Sequence, residues 1–163
     1  MSIPSRFNIR VYFVIISEDG ASVLVADEII AGKAYTKFPG GGLEFGEGPE
    51  ECVLREAQEE LGQDVEIISH LYTTGFYIQS AFRPSDQVIS IYYTARLKDQ
   101  QRFRTSAIKH DFIQTIQNEE SFRWMKLSNL SAEEFDFPAD KYVAGLLQPK
   151  GNNGGNSDSG AAY

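Results

Sequence analysis

The stretch GGLEFGEGPEECVLREAQEELGQ, residues 41–63, is a glycine-rich segment running directly into an amphipathic, strongly acidic one. Phe38 to Gly48 holds five glycines and one proline in eleven residues. That is too much glycine for a strand or helix interior, and it suits a loop whose backbone approaches a ligand closely. Pro49 to Leu61 then reads as a helix. Pro49 fits its first position, Glu50 and Glu51 complement the dipole, and Gly62 supplies the stop. Val53, Leu54, Ala57 and Leu61 form the apolar stripe expected to face a core, with Cys52 packed on the same side.

Charge is concentrated here. From Glu44 to Glu60 there are seven glutamates and one cation, Arg55, leaving six of the chain's eight net negative charges in this segment. Glu56, Glu59 and Glu60 stand at i, i+3 and i+4, so three carboxylates share one helix face. Unneutralised, like charges so spaced cost about 0.2–0.5 kcal/mol per pair. A hard divalent cation, which prefers carboxylate oxygens, would offset that cost.

Gly41, Glu47, Arg55, Glu56, Glu59, Glu60 and Gly62 follow the order Gly, five residues, Glu, seven residues, Arg-Glu-x-x-Glu-Glu-x-Gly. The segment resembles the Nudix box, and Phe38-Pro39-Gly40 and Gly46 fit the flanking loop of that family. Chance would produce seven such matches on the order of once in a million chains of this length. One position departs: Gln63 stands where the family has a bulky aliphatic, a packing role that Val65 could take.

The resemblance implies an α/β fold, a Nudix-type α/β/α sandwich with a mixed β-sheet. It also implies an enzyme that hydrolyses a pyrophosphate linkage in a nucleoside diphosphate derivative: a nucleoside triphosphate, ADP-ribose or a nucleotide sugar. Mg²⁺ is the implied cofactor, with Mn²⁺ able to replace it. Carried over by position, Glu56, Glu59 and Glu60 are the metal ligands. Arg55 orients the glutamates by pairing with Glu47, and Gly40, Gly41 and Glu47 belong to the phosphate loop. Glu59, Glu60, Arg55 and Glu120 are the expected catalytic set, Glu120 (or its neighbour Glu119) being a general base supplied by a later loop. A small nucleotide substrate is the expected partner, and the dimers common in the family make a homodimer an expectation too. A fold of this kind that senses a metabolite without cleaving it is the alternative. An isopentenyl diphosphate isomerase is disfavoured, because its Cys-containing site sequence is missing.

The rest of the chain is read more coarsely. Val11 to Ile16 and Ser22 to Ala26 are strand-like and meet at Asp19-Gly20, which predicts a β-hairpin. Val65 to Ile78 and Gln87 to Leu97 read as longer strands joined by a turn at Arg83-Pro-Ser-Asp86. Phe122 to Leu127 reads as a short strand. Asp140 to Gln148 reads as a final helix with Tyr142, Val143, Leu146 and Leu147 on its apolar face. Residues 1–150 are expected to form one domain, and 151–163, rich in Gly, Asn, Ser and Ala, a disordered tail.

Lys98, Arg102, Arg104, Lys109 and His110 make a cationic loop on an acidic chain, so Arg102 and Arg104 are candidate substrate contacts. Asp140 is a candidate contact to a purine base or else a helix N-cap. Tyr35, Phe76, Tyr77 and Phe82 could stack on a base or pack in the core. With 163 residues and 42% hydrophobic content, the chain can bury a core. The balance of 15 basic to 23 acidic residues has the wrong sign for long nucleic acid. One cysteine allows no intramolecular disulfide, and no apolar run is long enough to span a membrane. A cytoplasmic location is therefore expected.

Overall fold

The computed structural model describes residues 3–149. The expected tail, 151–163, lies outside the described residues. The elements in order are β1 (Arg6–Ile15), β2 (Ser22–Ile30), β3 (Lys33–Lys37), β4 (Gly40–Gly42), α1 (Pro49–Leu61), β5 (Val65–Thr73), β6 (Asp86–Leu97), β7 (Glu120–Lys126) and α2 (Pro138–Leu147). They form a four-stranded sheet of order β4-β1-β6-β5 and a three-stranded sheet of order β3-β2-β7. β1 and β6 run parallel and the other pairs antiparallel, so the larger sheet is mixed. This is the expected α/β sandwich.

Period-two burial explains the two layers. Val11, Phe13 and Ile15 pack with Cys52, Val53 and Ala57 of α1 on one side. Tyr12 and Val14 pack with Ala139, Val143 and Ala144 of α2 on the other. Both faces of the second half of β1 are therefore covered by helix, which is why Val11–Ile15 is apolar without alternation.

Several sequence expectations are corrected. Asp19-Gly20 does form a turn, with Gly20 N–H donating to the Ser17 carbonyl. The strands it joins enter different sheets and share one bridge, Ile16 to Val23, so there is no hairpin. The true hairpin joins β2 and β3 through Ala31-Gly32, both at positive φ as a type I′ turn requires. Gly40–Gly42, read as loop, is a short strand on β1. On α1, Leu54 is exposed and Cys52 takes its place in the core; on α2, Tyr142 and Leu146 are exposed and Ala139 and Ala144 are buried. β5 ends at Thr73 rather than Ile78, and the Arg83–Asp86 turn leads into β6, with Asp86 N–H donating to the Arg83 carbonyl.

Gln63 also has a different role from an aliphatic packing residue. It is buried at the end of α1, donating to the Gln100 carbonyl and accepting from Arg102 N–H. Val65 is fully buried beneath it in the core. Polar pairing thus fixes the loop after β6 where apolar packing was expected.

The smaller sheet is tied together by Asp27 of β2. Its fully buried carboxylate accepts two bonds from Arg123 of β7, one from the Thr36 hydroxyl of β3, and one from His110 N–H. Removing one partner of such a pair strands the other charge in low dielectric. Asp27→Ala is expected to lose about 3–5 kcal/mol of stability, read from urea denaturation. A loss under about 1 kcal/mol would show that Arg123 finds another partner.

Candidate active site

The glycine strand brings backbone against α1. Gly40 N–H donates to Glu60 Oε2 (2.9 Å), and Arg55 Nη2 donates to the Gly42 carbonyl (3.0 Å). A Cβ built on Gly41 would overlap the Glu56 carboxylate, and one on Gly40, at φ 138°, would overlap the Val11 carbonyl. Neither position has room for a side chain.

Arg55 gathers the acidic helix face. It makes a bidentate pair with Glu47, Nε to Oε2 at 2.9 Å and Nη2 to Oε1 at 2.6 Å. Its Nη1 reaches Glu56 Oε1 at 3.0 Å and Glu59 Oε2 at 3.2 Å. The Arg55 guanidinium holds the Glu47 carboxyl down at about 2. Burial, followed by a hydrogen bond with Glu47, pushes the Cys52 thiol up to about 12, leaving it a packing group rather than a nucleophile.

A second cluster lies beyond Gly40, and sequence reasoning missed half of it. Glu60 from α1, Glu120 from β7 and Glu28 from β2 converge on the ammonium of Lys37, at the end of β3. Glu28 and Glu120 are register partners across β2 and β7, so their side chains emerge on the same face. Nothing in a lone Glu28 or Lys37 marks it in the sequence; only strand pairing brings them to the box. Burial raises the carboxyls of Glu56, Glu60 and Glu120 above the ordinary value; Glu120 raises Glu60 further, whereas the hydrogen bond from Glu60 pulls Glu120 back down. Burial alone would lower the Lys37 ammonium, yet Glu60, Glu120 and Glu28 hold it above the ordinary lysine value. Glu119 instead anchors its own loop, accepting N–H bonds from Ile113, Gln114 and Ile116.

Carboxylate oxygens and the Gly40 carbonyl are hard donors of the kind Mg²⁺ and Mn²⁺ take. The overlap at Gly41 and the Gly40 bond show a loop shaped around the Glu56 and Glu60 carboxylates, so the residues fit such an ion. Among the described residues, no three acidic, His or Cys side chains stand gathered as a ready-made metal cage. In this arrangement the neutralising charge at Glu28, Glu60 and Glu120 comes from Lys37.

Beside Lys37 opens a cavity of about 250 Å³, lined among others by Arg10, Tyr12, Phe82, Phe137 and Asp140. Phe82 and Phe137 pack edge to face, and Tyr35 stacks on Phe137. Asp140 lies within the first turn of α2, whose N-cap is Phe137, so Asp140 is not the cap. It is 1% exposed; Oδ1 accepts from the Tyr92 hydroxyl at 2.7 Å, and Oδ2 has no partner. Arg102 and Arg104 do not line this cavity; they pair with Asp99 and Asp111 on the surface. Lys109 pairs with Glu134, and Phe76 packs against Tyr142.

A NUDIX domain family model matches residues 6–146. Among solved structures, a NUDIX hydrolase from Nitrosomonas europaea superposes with a TM-score of 0.60 at 18% identity, covering 88% of this chain and 90% of its own. A MutT NUDIX hydrolase from Burkholderia pseudomallei gives 0.61 at 19% identity, covering 90% and 100%. An ADP-ribose pyrophosphatase from Streptococcus suis gives 0.55 at 18%, covering 86% of each. At these identities the superpositions show a shared fold.

Burial pushes the Asp140 carboxyl from its ordinary 3.8 up to about 7. A folded-state pKa above the unfolded one costs no stability below about pH 4, and the fold loses stability progressively as pH rises toward 7. Asp140→Asn keeps the acceptor for Tyr92 and removes the charge. It is expected to exceed wild type by on the order of 3 kcal/mol at pH 8, with the difference vanishing near pH 4. Urea denaturation of both proteins at the two pH values checks this.

Proposed function

Because the chain belongs to the NUDIX family, whose hydrolases act on pyrophosphate bonds, we propose that it cleaves that linkage in a nucleoside diphosphate derivative, using a divalent metal. The observation that carries this reading is the shared wall: Lys37 and Glu28 border both the carboxylate cluster and the aromatic cavity. Phosphate chemistry and a flat apolar group are thus accommodated side by side.

In this reading Glu56, Glu59 and Glu60 hold Mg²⁺ (or Mn²⁺), with the Gly40 carbonyl as a further oxygen donor. The bound metal offsets phosphate charge and lowers the pKa of water. Arg55 keeps Glu56 and Glu59 oriented through its clamp on Glu47. Glu120, raised by burial and facing Glu60, accepts the proton of the attacking water in this reading; its burial and its position beside Glu60 support that role. Gly40 and Gly41 let the phosphates approach the backbone. Asp140, raised by burial to about 7 and with its unpartnered Oδ2 covered, would meet a base edge only where the cavity wall opens around it. Arg10 supplies positive charge in the cavity wall. The substrate class is a nucleoside triphosphate, ADP-ribose or a nucleotide sugar, in keeping with a cytoplasmic enzyme.

The test is phosphate and pyrophosphate release across a nucleotide panel with Mg²⁺ or Mn²⁺. The panel holds nucleoside triphosphates, ADP-ribose, dinucleoside polyphosphates and nucleotide sugars. One class is expected to be cleaved and Glu60→Gln to be inactive on it. Glu120→Gln is expected to cut turnover at least about tenfold with KM little changed. A near-normal rate would move the base role to a box glutamate. Silence across the panel, with metal bound, would favour a metabolite-sensing role.

A further inference from the structure

Lys37 stands at the centre of three carboxyl groups. Its side chain is 2% exposed, and its Nζ lies 3.2 Å from Glu28 Oε2, 3.6 Å from Glu120 Oε1 and 3.7 Å from Glu60 Oε1. The Gly40 carbonyl accepts from it at 3.2 Å. Three carboxyl groups and a carbonyl are hard oxygen donors, gathered here around an ammonium and not arranged as a ready-made metal cage. Buried carboxylates so close demand a cation, and Lys37 is the one that serves them here.

The side chain also has somewhere to go. Lys37 lines the 250 Å³ cavity, with the Tyr12 ring centroid 5.9 Å from its ammonium. A flexible four-carbon stem can carry the charge across that short span, and an aromatic face receives it favourably. From the glutamates to the cavity is a change of rotamer, not of fold.

We propose that Lys37 is the resident counter-ion of the Glu28–Glu60–Glu120 cluster, and that a divalent metal entering at Glu60 and the Gly40 carbonyl displaces its ammonium into the adjoining cavity. This rests on the metal-dependent reading above. Metal entry then does two things: it fills the carboxylate site and presents a cation where an incoming phosphate chain lies. Lys37 is a positioning residue in the empty site and a phosphate contact in the loaded one.

Two measurements without substrate test this. Mn²⁺ binding followed by electron paramagnetic resonance should be at least about tenfold tighter in Lys37→Met than in wild type, because no ammonium has to be displaced. Independently, wild-type protein is treated with an amine-reactive acylating reagent with and without saturating Mn²⁺, and Lys37 is quantified by mass spectrometry. Lys37 should react slowly without metal and at least about fivefold faster with it, while exposed Lys33 stays unchanged. The second measurement needs no variant, so a misfolded Lys37→Met cannot rescue the idea. Labelling that is flat or slower with Mn²⁺, or a variant that binds no tighter, overturns the proposal alone. Mn²⁺ bound by neither protein overturns it together with the metal-dependent reading.

Discussion

Helix α1 can lie where it does only because the strand facing its acidic side, Gly40–Gly42, carries no side chains. A single methyl at Gly41 would meet the Glu56 carboxylate, and one at Gly40 would meet β1. With those methyls absent, the loop's own polar groups reach the helix. Gly40 N–H is satisfied by Glu60, and the Gly42 carbonyl by Arg55. Backbone and carboxylates therefore satisfy one another at the center of the molecule, and the two helices can close over a sheet whose faces are both apolar.

That closeness creates an electrostatic problem, which the structure divides in two. Around Arg55, the carboxylates of Glu47, Glu56 and Glu59 are partly solvated and share one guanidinium whose fork geometry suits several oxygens. Around Lys37, which is itself almost fully buried, the carboxylates of Glu28, Glu60 and Glu120 are served by a point charge. Desolvation of such a cluster outweighs what one ammonium returns, which is why burial is the leading cause of the raised carboxyls there.

The cavity beside it repeats the same logic in neutral form. Asp140 is buried with one oxygen engaged by Tyr92 and the other free, among aromatic walls. An unpartnered buried oxygen is costly for a fold. The cationic loop that the sequence offered for this purpose is neutralised by its own acidic neighbours on the surface, so its charges face away from the chemistry.

The residues of 41–63 were enough to determine the helix, its glycine-rich approach and the acidic face, because these depend on local spacing: a helical period, a cap, and positions where no Cβ fits. Strand identity along β1, β6 and β7 was legible for the same reason. Partnership between distant segments was not. The turn at Asp19-Gly20 reads as a hairpin locally, yet β1 and β2 join different sheets, each drawn to other strands by two-sided burial. Lys37 and Glu28 carry no local mark; they become part of the site through the register of β2 with β3 and β7. Gln63 likewise took a polar role because two loop backbone groups, distant in sequence, needed partners at the end of α1. Short-range sterics and periodicity are written in order along the chain, whereas charge pairing and desolvation are decided by which surfaces the fold brings together.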